Sequence, residues 1–199
     1  MSTRRAARDA CFVLAAALCM AWAGTALCAS NDSDAGKNPA ALRQLADKGD
    51  AKAQNALGTL YAKGQGVPKD LAKAFKLFQQ AADQGDVEAQ TNLGMVYDRG
   101  DGVPQDYAKA AELYRKAADQ GYAPAQVNLG ALYIRGHGVP EDDAKAAELF
   151  QKAADQGVAL AQFNLGLCYE YGWGVPQDEA KSIGLLRKAG VTVQKPDID

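Results

Sequence analysis

The most constraining feature of this sequence is that it repeats. A Gly-Val-Pro tripeptide begins at Gly66, Gly102, Gly138 and Gly174, each copy 36 residues after the one before. A fixed period of this length indicates stacked supersecondary units and argues against a chain folded around one globular core. Because stacked units present long surfaces to partners, the period predicts a binding protein before any single residue is considered.

Each unit is predicted to be a pair of amphipathic helices. In the first unit, the segment Ala53–Tyr61 keeps helical spacing of apolar and small residues, and Gly64 follows where a helix would end in a left-handed residue. Asp70 is placed to cap a second helix, because its carboxylate can accept from free backbone N–H groups. The stripe of that second helix follows at i, i+3, i+4, i+7 and i+8: Ala74, Leu77, Phe78, Ala81 and Ala82.

A glycine recurs inside the first helix of every unit, at Gly58, Gly94, Gly130 and Gly166. Glycine in a helix interior costs about 1 kcal/mol relative to alanine. Its recurrence predicts that two helix backbones approach too closely for a Cβ atom. We therefore expect Gly130→Ala to destabilise the fold.

Residues 1–29 are predicted to be a signal peptide. Arg4, Arg5 and Arg8 precede the uncharged residues 10–29, which end in small side chains. The mature protein is then exported and periplasmic, with a secreted protein or an uncleaved N-terminal membrane anchor as the alternatives. Residues 30–39 are predicted to be a polar linker.

Composition argues against several kinds of function. The net charge of −2 does not favour a nucleic-acid partner, and no contact with a membrane is expected after signal cleavage. Cys168 is the only cysteine clearly left in the mature chain, so no disulfide framework is expected. It is predicted to be a small core side chain. His137 is the only histidine and is predicted to be a solvated loop residue, so no metal, cofactor or catalytic site is expected.

The array is predicted to cover residues 40–190 and to end in a short tail, 191–199. At its C-terminal end no further helix covers the last apolar face, which is predicted to be either a frayed cap or a docking face, in a monomer or a weak dimer. The apolar residues of that end are Ile183, Leu185, Leu186 and Val191. The predicted subdivisions are a half-repeat at 40–49 and units at about 50–85, 86–121, 122–157 and 158–190.

The units resemble Sel1-like repeats, relatives of the tetratricopeptide repeats. The pattern Ala-Gln-x-Asn-Leu-Gly-x-x-Tyr, then Gly-x-Gly-Val-Pro-x-Asp, then Lys-Ala-Ala-x-Gln-Gly is complete at 89–121. The resemblance implies an all-α, right-handed α-solenoid and a non-enzymatic adaptor or scaffold of the bacterial envelope that binds a protein or peptide. Cysteine-rich relatives imply β-lactam binding or hydrolysis as one alternative, although this chain lacks their cysteine pairs. A self-assembling structural protein is the other.

In related solenoids the first helices line the concave face, and the resemblance carries this over to the same positions here. The side chains along that face change from polar in the first unit to apolar and aromatic in the fourth. Trp173 occupies a loop position that is predicted to face solvent, and with Phe163 it serves either as a docking site or as a shield for the last unit. The expected partner-binding residues are Arg99, Val127, Ala131, Ile134, Arg135, Phe163, Leu167, Glu170, Tyr171 and Trp173.

Overall fold

The chain forms a linear stack of antiparallel helices. A computed structural model describes residues 38–192, and the predicted signal peptide lies outside the described residues. Within 38–192 there are helices but no strand, and each helix packs against its neighbours in chain order. The prediction of an all-α helical repeat is confirmed.

Nine helices make up the described part of the chain. The first, α1, stands alone, and the other eight form four pairs, units 1 to 4. Their bounds are α1 Pro39–Asp47, α2 Ala51–Lys63, α3 Leu71–Asp83, α4 Val87–Arg99, α5 Tyr107–Asp119, α6 Ala123–Arg135, α7 Asp143–Asp155, α8 Ala159–Tyr171 and α9 Glu179–Lys188. The first helices of the units are therefore α2, α4, α6 and α8.

The turn inside each unit is fixed by one glycine and one aspartate. In unit 3, α6 ends at Gly136, whose φ of 65° is the left-handed conformation that glycine adopts without strain. Its N–H and that of His137 both donate to the Leu132 carbonyl, which satisfies an acceptor at the helix end. Asp142 then caps α7 by accepting from the Lys145 N–H at 3.0 Å. The other units repeat this arrangement, as predicted.

The interior glycines have a different cause from the predicted one. A Cβ built on Gly130 would lie 2.7 Å from Cε1 of Phe150, a fully buried ring of the second helix of the same unit. Gly58 and Gly94 face Phe78 and Tyr114 in the same way, at 2.8 Å and 2.6 Å. The close approach was expected between two backbones, but at these positions the nearest atoms belong to an aromatic ring. The glycine therefore makes room for a large core side chain.

Successive units are joined by buried glutamines. The Gln126 Nε2 donates to the Ala118 carbonyl at the end of α5, and its Oε1 accepts from Gln156 Nε2 at 3.1 Å. Gln90 makes the equivalent two bonds one unit earlier, with Ala82 and Gln120. Because a buried amide must be paired, this ladder fixes the register of one unit on the next.

The two ends of the stack differ from its middle. At the N-terminal end α1 packs against α2, and Leu45 of α1 keeps 46% of its surface exposed. At the C-terminal end α9 stops at Lys188, and Val191 is 37% exposed while Leu186 is buried. The expectation of partly exposed apolar residues at this end is therefore met by exposed Val191 and by half-buried Ile183 and Leu185, but it is wrong for Leu186.

Candidate functional site

The candidate site lies on the surface formed by α2, α4, α6 and α8, which we call the first-helix face. Along its edge, the last residue of each first helix is Lys63, Arg99, Arg135 or Tyr171. Three of these four are cations placed at helix C-termini, where the helix dipole favours positive charge. The edge therefore changes from basic to aromatic at unit 4.

The residues expected to bind a partner divide into accessible and buried ones. Arg99 and Tyr171 are exposed, and four more are half-buried on this face: Ala131, Arg135, Phe163 and Glu170. The other four are buried, with 4% exposure for Val127, 4% for Ile134, 7% for Leu167 and 8% for Trp173. The buried four do not offer free surface, so the predicted apolar patch is smaller than expected.

Trp173 corrects a specific prediction. The loop position was expected to face solvent because Gln65 and Asp101 occupy it in units 1 and 2. Instead the indole of Trp173 is buried and stacks on the Tyr171 ring, with centroids 4.9 Å apart and planes 26° apart. A large apolar ring loses contact with water by folding back, whereas a small polar side chain at the same position does not. Tyr171 remains 48% exposed.

His137, at the same loop position in unit 3, is also less solvated than expected. Its ring packs on Tyr107 with centroids 4.4 Å apart, and its Nδ1 is buried without a hydrogen-bond partner. Cys168 is fully buried, as predicted for a core side chain. No group of three or more metal-ligating side chains occurs among residues 38–192.

A carboxylate that the sequence reasoning missed lies at the same edge. Asp98 is half-buried, and burial raises the pKa of its carboxyl above the ordinary value of 3.8, against the opposing effect of Arg135 and Arg99. The Tyr114 hydroxyl lies 3.5 Å from its Oδ2. A signal was present: position 114 holds Tyr where the other units hold Phe78, Phe150 and Leu186, in the same unit that gains the aspartate.

Asparagines run along the first-helix face, and their hydrogen bonding is uneven. Asn92 Nδ2 donates to Asn55 Oδ1 at 2.8 Å, and Asn55 Nδ2 donates to Glu88 Oε2 at 3.1 Å. In unit 4, Asn164 is 3% exposed, and its buried Oδ1 has no hydrogen-bond partner. The sequence alone places Asn92 and Asn164 at equivalent positions and did not reveal this difference.

The fold and this face define a helical-repeat protein, and the family follows from sequence comparison. The Sel1 repeat profile matches four times, at residues 51–86, 87–122, 123–158 and 159–190. The chain therefore belongs to the Sel1 repeat family, whose members generally mediate protein–protein interaction on a typically non-enzymatic scaffold. A search of curated protein sequences finds no significant match.

Solved structures agree with the family. A protective antigen of uropathogenic Escherichia coli is 42% identical, with a TM-score of 0.74 over 77% of this chain and 33% of its own. The present chain thus spans about a third of that protein. A Sel1 repeat protein from Oxalobacter formigenes is 29% identical, with a TM-score of 0.70 over 80% of this chain and 73% of its own. An immunity protein from Pseudomonas aeruginosa is 25% identical, with a TM-score of 0.54 over 92% of this chain and 64% of its own.

No helix within residues 38–192 combines the length and the apolar character that crossing a bilayer requires.

Proposed function

We propose that this protein is a non-enzymatic adaptor of the cell envelope that binds a protein or peptide partner on the first-helix face of units 3 and 4, together with Arg99 at the edge of unit 2. The observation that carries this proposal is the grouping of accessible apolar and cationic side chains there. Half-buried Phe163 and exposed Tyr171 lie on the same helix, and Arg135 occupies the equivalent edge position one unit before. Aromatic and arginine side chains are the ones that most often dominate binding energy at interfaces.

The residues proposed for binding now have two roles. The direct contacts are Arg99, Ala131, Arg135, Phe163, Glu170 and Tyr171, which all retain accessible surface. Val127, Ile134, Leu167 and Trp173 are buried and offer no contact surface of their own. Trp173 is proposed to act through Tyr171, because the two rings stack. A rigid aromatic anchor loses less conformational entropy on binding than a mobile one.

The envelope location rests on the N-terminal sequence and on similarity. Three arginines followed by uncharged residues 10–29 support export through a signal peptide, and periplasmic residence of the mature chain is part of the proposal. The similarity to a bacterial protective antigen supports an exported protein. Fractionation of cells with antibody detection measures this, and finding the full-length chain in the cytosol would contradict it.

The binding experiment uses a triple variant of the proposed contacts. Photo-crosslinking from position 163 in intact cells identifies the partner, which is then purified and titrated against the protein. Arg99→Glu, Arg135→Glu and Phe163→Ala together should abolish binding while the helical circular dichroism stays unchanged. A matched control reverses the charges of Lys76 and Lys116, which are exposed on the second helices. Unchanged affinity of the triple variant would reject this site.

A weak dimer through the C-terminal end is a second candidate, favoured by exposed Val191 next to the last helix. Light scattering of the purified protein across a concentration series tests it. A concentration-dependent rise in mass that Val191→Glu removes would support the dimer, and a constant monomer mass would exclude it.

The absence of catalysis is also a proposal. Relatives linked to β-lactams make nitrocefin the informative substrate, and we expect no turnover by the purified protein. Hydrolysis that survives further purification and disappears when a single side chain is replaced would overturn the adaptor assignment.

A further inference from the structure

Each first helix carries a tyrosine whose ring is covered by a lysine of the second helix of the same unit. The ammonium groups lie between 5.1 and 5.6 Å from the ring centroids. These tyrosines are Tyr61, Tyr97, Tyr133 and Tyr169. The helix before each first helix places a polar residue beside the tyrosine, and these residues are Arg43, Gln79, Arg115 and Gln151. Arginine and glutamine therefore alternate along the stack.

Where the neighbour is an arginine, its guanidinium contacts the tyrosine hydroxyl. Arg43 Nη2 donates to the Tyr61 hydroxyl at 2.8 Å, and Arg115 Nη2 donates to the Tyr133 hydroxyl at 3.4 Å. Tyr61 keeps only 7% of its surface exposed. The chain itself thus shows that a guanidinium fits beside this tyrosine.

Where the neighbour is a glutamine, it bonds within its own helix instead. Gln79 Nε2 donates to Asp83 Oδ1 at 2.8 Å, and Gln151 Nε2 donates to Asp155 Oδ1 at 2.7 Å. Among the described residues, no side chain bonds to the hydroxyl of the tyrosine in either of these two places. Both tyrosines line an open cavity between the second helices.

The cavity beside Tyr97 has a volume of about 440 Å³, which lies in the range of ligand pockets. Its walls carry two carboxylates, Asp83 and Glu112, and two lysines, Lys109 and Lys116. The ammonium of Lys109 already lies over the Tyr97 ring and is 3.4 Å from a carboxylate at the start of α5. The carboxylates of the cavity itself can therefore receive a further cation.

The cavity beside Tyr169 has a volume of about 400 Å³ and is more apolar. Its two charged residues, Glu148 and Lys152, are paired with each other at 2.7 Å. Its apolar lining consists of Ala144, Ala147, Leu165 and Val175. Such walls suit the aliphatic stem of a long side chain whose polar end reaches the tyrosine hydroxyl.

From this alternation we propose that the cavities beside Tyr97 and Tyr169 each take an arginine side chain of a protein partner. The guanidinium donates to the tyrosine hydroxyl, as Arg43 and Arg115 do within the chain. The inference goes beyond the proposed function, because it assigns a second binding surface that lies between the second helices.

Arginine suits these cavities better than lysine does. A guanidinium presents five N–H donors in a planar fork, so that one group can bond the Tyr97 hydroxyl and also a carboxylate of the same cavity, such as Asp83. An ammonium group is a compact and strongly hydrated charge, which loses more on leaving water.

The first test titrates N-acetyl-arginine-N-methylamide into the purified protein, in which the tyrosines are isotope-labelled for NMR. The ring signals of Tyr97 and Tyr169 should shift, and those of Tyr61 and Tyr133 should not, because Arg43 and Arg115 already occupy the equivalent places. The lysine and citrulline analogues should bind at least about tenfold more weakly, since they lack the fork or the charge. Equal responses to all three compounds, or equal shifts of all four tyrosines, would overturn the proposal.

The alternation supplies matched variants. Gln79→Arg brings the chain's own arginine to Tyr97, so the response of Tyr97 should be lost while that of Tyr169 remains. Arg115→Gln should create a new response at Tyr133, which a variant that merely loses its fold cannot do. A response of Tyr97 that survives Gln79→Arg would contradict the assigned site.

The second test asks whether a protein supplies the arginine. Photo-crosslinking from position 112 in intact cells should capture a segment that contains arginine, and replacing that arginine with lysine should weaken its binding about tenfold. A captured segment without arginine would refute the proposal. A rise in mass with concentration that Gln79→Arg removes would identify a second copy of this chain as the occupant and overturn the assignment to a partner.

The two binding surfaces are separable. The triple variant of Arg99, Arg135 and Phe163 should respond to the arginine compound as the wild type does, whatever its effect on the first-helix face. If the triple variant loses the shifts at Tyr97 and Tyr169, the second surface is not independent and this inference is wrong.

Discussion

Replacing Gly130 with alanine tests the central packing feature of each unit. The new Cβ would lie 2.7 Å from Phe150 Cε1 and 3.1 Å from both Cδ1 and Cζ. Carbon atoms in good contact are about 3.5–4.0 Å apart, so the overlap is close to 1 Å and the ring must shift. Phe150 has no exposed surface into which it could turn. Overpacking of this kind costs about 1–3 kcal/mol.

The same substitution also brings a gain, which a control isolates. Alanine is favoured over glycine in a helix by about 1 kcal/mol, so the net destabilisation by Gly130→Ala should be about 0–2 kcal/mol. Gly184 lies inside α9, and a Cβ there would meet nothing within 4 Å. Gly184→Ala should therefore raise the stability by about 1 kcal/mol. The difference between the two variants, about 1–3 kcal/mol, is the cost of the clash alone.

The assay is urea unfolding followed by circular dichroism at constant protein concentration. A double-mutant cycle then places Gly130→Ala in a Phe150→Leu background. Leucine is chosen because Gly166 of unit 4 already faces Leu186, and a Cβ built on Gly166 would lie 3.0 Å from the nearest Leu186 atom. The substitution should cost less there than in the wild type. Equal stabilities of Gly130→Ala and Gly184→Ala, or equal costs in both backgrounds, would show that the Phe150 ring does not exclude a Cβ at position 130.

Three further predictions concern polar groups. The hydrogen bond from the Lys145 N–H lowers the pKa of the Asp142 carboxyl, so its stabilising effect is present above the ordinary pKa of 3.8 and is lost as the pH falls below that value. Asp142→Asn keeps the cap without titrating, so the unfolding free energy of this variant should fall less steeply in acid than that of the wild type. Identical pH profiles would contradict this. Gln126→Leu should lower the unfolding free energy by about 1–3 kcal/mol because the buried hydrogen bonds of the Gln126 amide to the Ala118 carbonyl and from Gln156 Nε2 are both lost; no change in the urea midpoint would contradict this. Carbon-detected NMR should show that the pKa of the Asp98 carboxyl lies above 3.8, and the unfolding free energy should decline as the pH rises through that pKa. Tyr114→Phe should raise the pKa of Asp98 further, because a hydrogen bond to its carboxylate is lost.

Most of the fold could be predicted from the sequence because the repeat makes each local signal visible four times. Gly136 ends a helix in the left-handed conformation and Asp142 caps the next one. Both effects are local and do not depend on distant parts of the chain. Unit boundaries follow from such residues. The reason why position 130 holds glycine could not be predicted, because it depends on which side chain of another helix packs against that position.

The candidate site was predicted less completely, and for the same reason. Exposure at equivalent positions was assumed to be equal in every unit, which is wrong for Trp173, since its large ring folds back and stacks while Gln65 stays exposed. Asn164 Oδ1 is buried without a hydrogen-bond partner, and one unit earlier Val127 takes the position from which Asn55 accepts the amide of Asn92. Such cross-unit pairs are visible in the sequence only when the stacking register is already known.

Binding at the first-helix face is tested most directly by the affinity of the purified, crosslink-identified partner for this protein. Isothermal titration calorimetry would compare this affinity for the wild type, the triple variant of Arg99, Arg135 and Phe163, and the control in which the charges of Lys76 and Lys116 are reversed. We predict that binding is lost only in the triple variant, with all three proteins equally helical. Equal affinity of the triple variant and the wild type would contradict it.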